Sequence, residues 1–393
     1  MSTTDTTSPT PPHTATCESP CPGKELCGSC PWSTTPYPLQ LQMKLAAINT
    51  AFQETGVAAE CSEILPSPAI SHYRNRMDFA IDFEGRIGLR EKGKWWRVID
   101  NHHCFISDER IEQAFGRVRE WIQSADLSYF DRKKHHGLLR YAVIRATLTG
   151  QLMLNLVTSV PRDRDEEQRA RAALHTLTSS LSATTVIWAR NNTISDVSFG
   201  TEMEIISGPG VIEEEVEGVK FQISPNAFFQ TNSRGAAVLL REVFDNLSLS
   251  GSQGTLLDLF CGSGFFSVAC ASRMQRCVGV ELVADAVRDA RINAELNHVP
   301  VEFHDMQAEK FDWSSLTPAM VIVDPPRAGL HPKALKALLD NAPPSIIYVS
   351  CNFGAFAREL RELLTAYNIV RCRAVDLFPQ TPHVEVVTLL QHR

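Results

Sequence analysis

After Ser224 the chain alternates short apolar runs with amphipathic stretches, and this rhythm constrains the fold more than any other feature. Apolar runs stand at 255–260, 277–281, 301–303, 320–323, 346–350, 369–376 and 384–390. Helical spacing fills the gaps, from about 265, at 284–297, at 332–339 and at 355–366, after a helical stretch over 226–244. A strand that is apolar on both faces has to be covered on both, and helices lying between successive strands do that. The pattern predicts an α/β fold with a doubly wound, mostly parallel sheet. No internal repeat is present.

The first half reads differently. A helix is expected over 36–52, a hairpin over 70–100 turning at Glu84-Gly85, and a helix over 110–122. A second hairpin, 141–149 with 151–159, turns at Gly150; a helix at 163–181 and a strand at 185–189 follow. Mixed strands and helices of this kind suit an α+β domain. The expected organisation is an α+β domain over 17–225 and a doubly wound domain over 226–393, with the helix within 34–62 packed on the second. Residues 1–16 are rich in Ser, Thr and Pro without an apolar core; they read as a disordered tail rather than a signal peptide.

Composition narrows the setting. Apolar residues make up 44% and charged residues 21% of the 393, the balance of an ordinary soluble protein. No apolar run reaches the roughly 18 residues of a membrane span, so the expectation is a cytoplasmic monomer with no membrane partner. The net charge of −7 opposes a nucleic-acid partner. Residues 71–145, however, hold 15 Lys and Arg against 11 Asp and Glu, and a local basic face can bind phosphate on an acidic protein. Trp95-Trp96 lies there with Lys92, Lys94 and Arg97, a mixture that suits single-stranded RNA and equally a packed tryptophan pair.

The first apolar run enters Leu257-Asp258-Leu-Phe260-Cys-Gly262-Ser-Gly264. Glycines let a backbone approach a ligand, and a helix start offers unpaired N–H groups. Glu281 ends the next run, placed to hold ribose hydroxyls. The third glycine of a dinucleotide fingerprint is missing, which leaves a dehydrogenase or a plain turn as the alternative. The loop instead resembles the S-adenosylmethionine loop of class I methyltransferases. Downstream, Val323-Asp324-Pro-Pro-Arg327 puts a carboxylate at a strand end, held by two prolines.

Cys351, in Tyr348-Val-Ser-Cys351-Asn352, follows a strand, and Glu385 enters the last one. A thiol at the carboxyl edge of a sheet, with the start of a helix behind it to lower its pKa, is a candidate nucleophile. The electron-poor ring this set suits is a uracil in RNA. Attack by Cys351 on carbon 6 would make carbon 5 reactive, Glu385 would remove the carbon 5 proton, and Asp324 would orient the ring. A cytosine-5 or amino-group methyltransferase, or a non-catalytic RNA-binding module, are the alternatives. Cys21, Cys27 and Cys30, spaced x5 and x2, with Cys104 far downstream, suit a 4Fe–4S cluster; zinc or free buried thiols also fit the spacing. His102 and His103 flank Cys104 without being assigned as ligands.

Taken together, Cys-x5-Cys-x2-Cys, DLFCGSG, VDPPRAG, SCN and HVEVVTLL, in that order, resemble the S-adenosylmethionine-dependent RNA uracil-5 methyltransferases from Cys21 to Arg393. The resemblance implies a class I methyltransferase (Rossmann-like) domain behind an iron–sulfur domain. It implies Cys351 as nucleophile and Glu385 as base. It places Gln230 of Asn226-Ala-Phe-Phe-Gln230 against the cofactor with Phe260, Gly262, Gly264, Glu281, Asp305 and Asp324, and gives Cys21, Cys27, Cys30 and Cys104 to a 4Fe–4S cluster. Within the family, the shorter 23S ribosomal RNA uracil-747 enzymes are most similar: cluster cysteines speak against the transfer RNA branch, and there is no room before Cys21 for an extra barrel. Phe265 departs from the Asn or Gly often found in relatives, and the x5 spacing resembles the longer ribosomal branch, so uracil-5 methylation of another 23S site or of transfer RNA stays open as the alternative.

Overall fold

The computed structural model describes residues 20, 21, 23–312 and 314–393. The tail expected over 1–16 lies outside the described residues, as does Cys17.

The chain opens with a single turn, α1 (Lys24–Cys27), ended by Gly28 at φ +66°. Helix α2 (Tyr37–Glu54) has a proline in its first turn and buries Gln40, Lys44, Ile48 and Phe52, one stripe at i, i+4 spacing. That stripe faces the carboxyl-terminal half of the chain: Ile48 and Phe52 share a core with Leu257, Tyr348 and Phe356. The short strand β1 (Ile64–Leu65) then pairs in parallel with the sheet of that half.

Residues 76–207 build a seven-stranded sheet. Its members are β2 (Arg76–Ile81), β3 (Ile87–Glu91), β4 (Lys94–Asp100), β5 (Leu139–Ala146), β6 (Leu152–Ser159), β7 (Thr185–Asn191) and β8 (Glu202–Ser207). Their order is β4-β3-β2-β5-β6-β7-β8. Helix α3 (Glu109–Ser124) starts where the Asp108 carboxylate accepts from the Arg110 N–H, and α4 (Arg164–Ser180) where Asp163 accepts from Glu166. Phe79, Ile144, Leu154, Leu156 and Trp188 form one core with Phe115, Val118 and Leu174 of these helices.

A hairpin, β9 (Ile212–Val216) and β10 (Val219–Ile223), and helix α5 (Ser233–Ser250) lead into the second sheet. The sequence reading started this helix at 226. Asn232 caps it instead, accepting from Gly235 N–H, and 226–232 is a loop. There follow β11 (Thr255–Leu259), α6 (Phe265–Cys270), β12 (Arg276–Glu281), α7 (Ala284–Leu296), β13 (Val301–Asp305) and β14 (Met320–Val323). The chain ends with α8 (Pro332–Asn341), β15 (Ser345–Ser350), α9 (Phe353–Leu363), β16 (Tyr367–Val375) and β17 (Glu385–His392). The order β1-β16-β17-β15-β14-β11-β12-β13, with β17 antiparallel to both neighbours, confirms the doubly wound sheet. β11 feeds β12 on one side and pairs β14 on the other, so the crevice at the carboxyl ends of these strands is where a ligand binds.

Candidate active site

The loop after β11 turns through left-handed backbone at Phe260 (φ +66°), Gly262 (φ +54°) and Gly264 (φ +83°). Gly264 is needed twice over: its φ disfavours any side chain, and a Cβ there would come 2.9 Å from Val268 Cγ2. Asp258, fully buried at the end of β11, accepts from Ser267 N–H at 2.9 Å and so ties strand to helix. Burial pushes its carboxyl up to about 8.

Glu281 stands at the end of β12. One carboxylate oxygen accepts from Gly262 N–H (3.1 Å) and the other from Val283 N–H (2.8 Å), so the glutamate braces the loop it faces. Asp305 is its partner across the β12–β13 ladder and is exposed. Gln230 is buried in the loop before α5, its carbonyl accepting from the Asn75 side chain at 3.0 Å. Phe265 packs in an aromatic cluster, its ring centroid 5.5 Å from that of Phe221 and 5.8 Å from that of Phe229. It therefore belongs to the core beneath the loop.

Asp324 follows β14, and burial lifts its carboxyl to about 7. The turn after it is fastened to α9. Asn352 donates from its side chain to the Arg327 carbonyl at 2.9 Å, and Leu330 N–H donates to the Glu359 carboxylate at 2.8 Å. The Tyr348 hydroxyl donates to the same carboxylate from β15. Gly329, at φ +84°, lets the backbone pass this carboxylate, which a Cβ would meet at 2.1 Å.

Cys351 comes directly after β15, half-buried, and Asn352 caps α9 behind it by accepting from Gly354 and Ala355 N–H. In the antiparallel ladder Ser350 faces Val386, so Cys351 and Glu385 are brought side by side across β15 and β17. The helix start was expected to lower the thiol pKa. Burial wins instead, and with Glu385 and Asp324 nearby the thiol is pushed up to about 11, Arg327 pulling the other way. Glu385 is buried, and burial together with Asp324 drives its carboxyl well above the usual carboxylate range, again opposed by Arg327. Asp324, Cys351, Glu385 and the guanidinium of Arg327 thus share one electrostatic site. Arg327 lay inside a recognised motif yet received no role from sequence. A cation becomes visible only when its carboxylate neighbours are located.

Cys21, Cys27, Cys30 and Cys104 are all buried. Cys30 lies in the electrostatic field of Cys104, Cys27 and Cys21; their like charge adds to burial in pushing its thiol up to about 12. Of the two histidines that flank Cys104, His102 places Nε2 3.8 Å from Cys21 Sγ, whereas His103 is exposed and faces Glu112. Among the described residues, no group of three or more His, Cys, Asp or Glu side chains is arranged to hold a metal ion. Trp95 and Trp96, edge to face at 5.9 Å on edge strand β4, are 59% and 50% exposed, so they are not a buried packing pair.

A family model described as tRNA (Uracil-5-)-methyltransferase matches residues 36–317 and 302–393. A tRNA (uracil(54)-C(5))-methyltransferase of Pyrococcus horikoshii is 38% identical over 370 residues, 93% of this chain and 83% of the relative. The enzyme of the same name from Pyrococcus furiosus is 37% identical over 367 residues, with 93% and 83% covered. The crystal structure of Pyrococcus abyssi tRNA (uracil-54, C5)-methyltransferase in complex with S-adenosyl-L-homocysteine matches at a TM-score of 0.78 and 35% identity, covering 92% of this chain and 85% of that one. These relatives are named as transfer RNA enzymes, which favours the alternative that the sequence left open over its first reading, 23S ribosomal RNA. The chain belongs to the tRNA (uracil-5-)-methyltransferase family and is an S-adenosylmethionine-dependent RNA uracil-C5 methyltransferase.

Proposed function

We propose that this enzyme methylates carbon 5 of a uridine in transfer RNA, at a site of the uracil-54 class. Cys351 serves as nucleophile, Glu385 as base, and Asp324 and Arg327 set their charge. The reading rests on one observation above the rest: Cys351 and Glu385 are neighbours across β15 and β17 at the carboxyl edge of the sheet, within the field of Asp324.

The Cys351 sulfur, once deprotonated, adds to carbon 6 of the ring, and the ring's electrons move to make carbon 5 nucleophilic. S-adenosylmethionine, when bound, supplies an electrophilic methyl group on a cationic sulfur, which carbon 5 takes up. Glu385 then takes the proton from carbon 5, and the electrons of that bond expel the Cys351 sulfur from carbon 6. Gln230, Phe260, Gly262, Gly264, Glu281 and Asp305 are the residues we assign to the methyl donor. The target base leaves its stack to reach this crevice. The basic segment 71–145 and the exposed Trp95 and Trp96 offer a surface for the surrounding RNA.

Cys21, Cys27, Cys30 and Cys104 would hold a 4Fe–4S cluster. What supports this reading is the thiol donor set and its burial: all four thiols are buried, and Cys30 lies in the field of the other three, though the described side chains are not drawn together as a metal site. Its role is structural, since no step above moves an electron. Iron and acid-labile sulfide in protein purified without air support the cluster; zinc instead would replace it.

The substrate is tested by incubating the enzyme with labelled donor and total RNA from cells lacking its gene, then mapping the label. Label at position 54 of transfer RNA is expected. Label in 23S ribosomal RNA would overturn the substrate while leaving the chemistry in place.

A further inference from the structure

Between β16 and β17 the chain leaves the sheet at Asp376 and returns at Glu385, at the same edge where Cys351 follows β15. One residue of this loop, Gln380, is buried and held at φ +71°, a conformation unfavourable for any residue with a side chain. Strain of that kind persists only where surrounding structure over-determines it, and it concentrates at functional sites.

The structure over-determines it from the far end of the sequence. Gln40 of α2, fully buried, accepts from Gln380 N–H at 2.8 Å and donates to the Gln380 side-chain oxygen at 2.9 Å. The Gln380 carbonyl accepts from Trp32 N–H at 3.1 Å, and its side-chain nitrogen donates to the Ile70 carbonyl at 3.2 Å. One turn along α2, Lys44 donates to Asp376 at 2.6 Å and to the Phe378 carbonyl at 3.0 Å, so the loop is gripped at its root and at its crest. A loop needed only to close a hairpin does not require a buried glutamine pair spanning 340 residues of sequence.

We infer that Gln40 and Gln380 form a positioning clamp, by which helix α2 sets the β16–β17 loop so that Glu385 meets the carbon 5 proton. Neither glutamine is a catalytic residue; both act through the loop. The inference rests on the reading of Glu385 as base. It separates the steps of the reaction. Attack by Cys351 and methyl uptake depend on β15 and the glycine loop after β11, and the hydrogen bonds of the two glutamines go to neither. Proton removal depends on the clamped loop.

The test uses the full-length enzyme with S-adenosylmethionine and transfer RNA, following both methylated product and the protein–RNA adduct that survives denaturation. Gln40→Ala and, from the other side, Gln380→Ala should each slow product release about tenfold or more while adduct accumulates, as with Glu385→Gln. Gln40→Glu, which keeps the acceptor for Gln380 N–H, should recover part of the release rate. The double variant should be no slower than the worse single one, because both remove the same clamp. Wild-type release in Gln40→Ala and Gln380→Ala, with adduct still trapped by Glu385→Gln, overturns the clamp and leaves the base in place. Wild-type release in Glu385→Gln overturns the base itself. Proportionate loss of adduct formation and release in both single variants means the pair serves only stability, and also overturns the clamp.

Discussion

Burial leaves Cys351 a thiol at neutral pH, and two carboxylates hold its proton on more tightly. Asp324 is itself ionised above about 7. Replacing it by Asn removes a negative charge from beside the sulfur, so the alkylation midpoint of Cys351, followed by iodoacetamide and peptide mass spectrometry, should fall below that of the wild type. An unchanged or higher midpoint would show that burial alone sets it. Arg327→Ala should move the midpoint the other way, since its guanidinium favours the thiolate. Asp258 offers a second titration. Its carboxyl sits at about 8 in the folded protein against 3.8 in the open chain. Between those values it is protonated when folded and ionised when unfolded, so its contribution to stability is present at low pH and lost as pH rises through about 8. Asp258→Asn, which can still accept from Ser267 N–H, should flatten this decline in urea-melting series run from pH 4 to 8.

At the scale of elements, the strands and helices of the second half were legible because the central strands β11, β14 and β15 are buried on both faces and helices such as α8 and α9 carry one apolar stripe. The signal is local and repeated. The hairpin at 212–223 carried an equally local signal that the sequence reading passed over: Ile212, Glu214 and Val216 alternate inward with exposed residues, and Glu217 and Gly218 both take positive φ in the turn. The helical stretch read as beginning at Asn226 begins only after Asn232, whose side chain caps it. The glycine loop makes a sharper prediction. Gly264→Val combines a β-branched side chain at φ +83° with a clash against Val268, and backbone strain of this kind costs about 1–3 kcal/mol. Calorimetry should show S-adenosyl-L-homocysteine affinity reduced about tenfold or more, whereas Gly93→Val, exposed and with open space around it, should leave affinity unchanged.

Across the whole molecule, α2 and β1 of the amino-terminal part are built onto the carboxyl-terminal sheet. Strand β1 extends that sheet, and Phe52 packs on Phe356 at 6.0 Å between ring centroids. Lys44 and Asp376 pair at 2.6 Å with neither side chain exposed. Sequence showed α2 as a helix and expected it on the second domain, but not which residues it meets there, because Gln40 and Lys44 break its apolar stripe and their partners lie more than 330 residues away. Lys44→Met leaves Asp376 buried without its cation, and should destabilise the fold by about 3–5 kcal/mol in denaturant titrations. Lys44→Met with Asp376→Leu should recover most of that loss. Failure of the double variant to recover would mean that the hydrogen bonds to Phe378, rather than the charges, hold the loop. The proposed catalytic groups were legible one by one, as a cysteine after one strand and a glutamate entering another. Their adjacency was not, since it depends on β17 inserting antiparallel between β15 and β16.

The account turns on a bond between the Cys351 sulfur and a pyrimidine carbon. RNA carrying 5-fluorouridine tests it directly, because fluorine at carbon 5 leaves Glu385 no proton to remove and the adduct cannot resolve. Peptide mass spectrometry of the denatured enzyme after reaction with this RNA and S-adenosylmethionine should find the methylated fluorouridine on Cys351. Attachment at another residue, or methyl transfer with no covalent adduct, would contradict it.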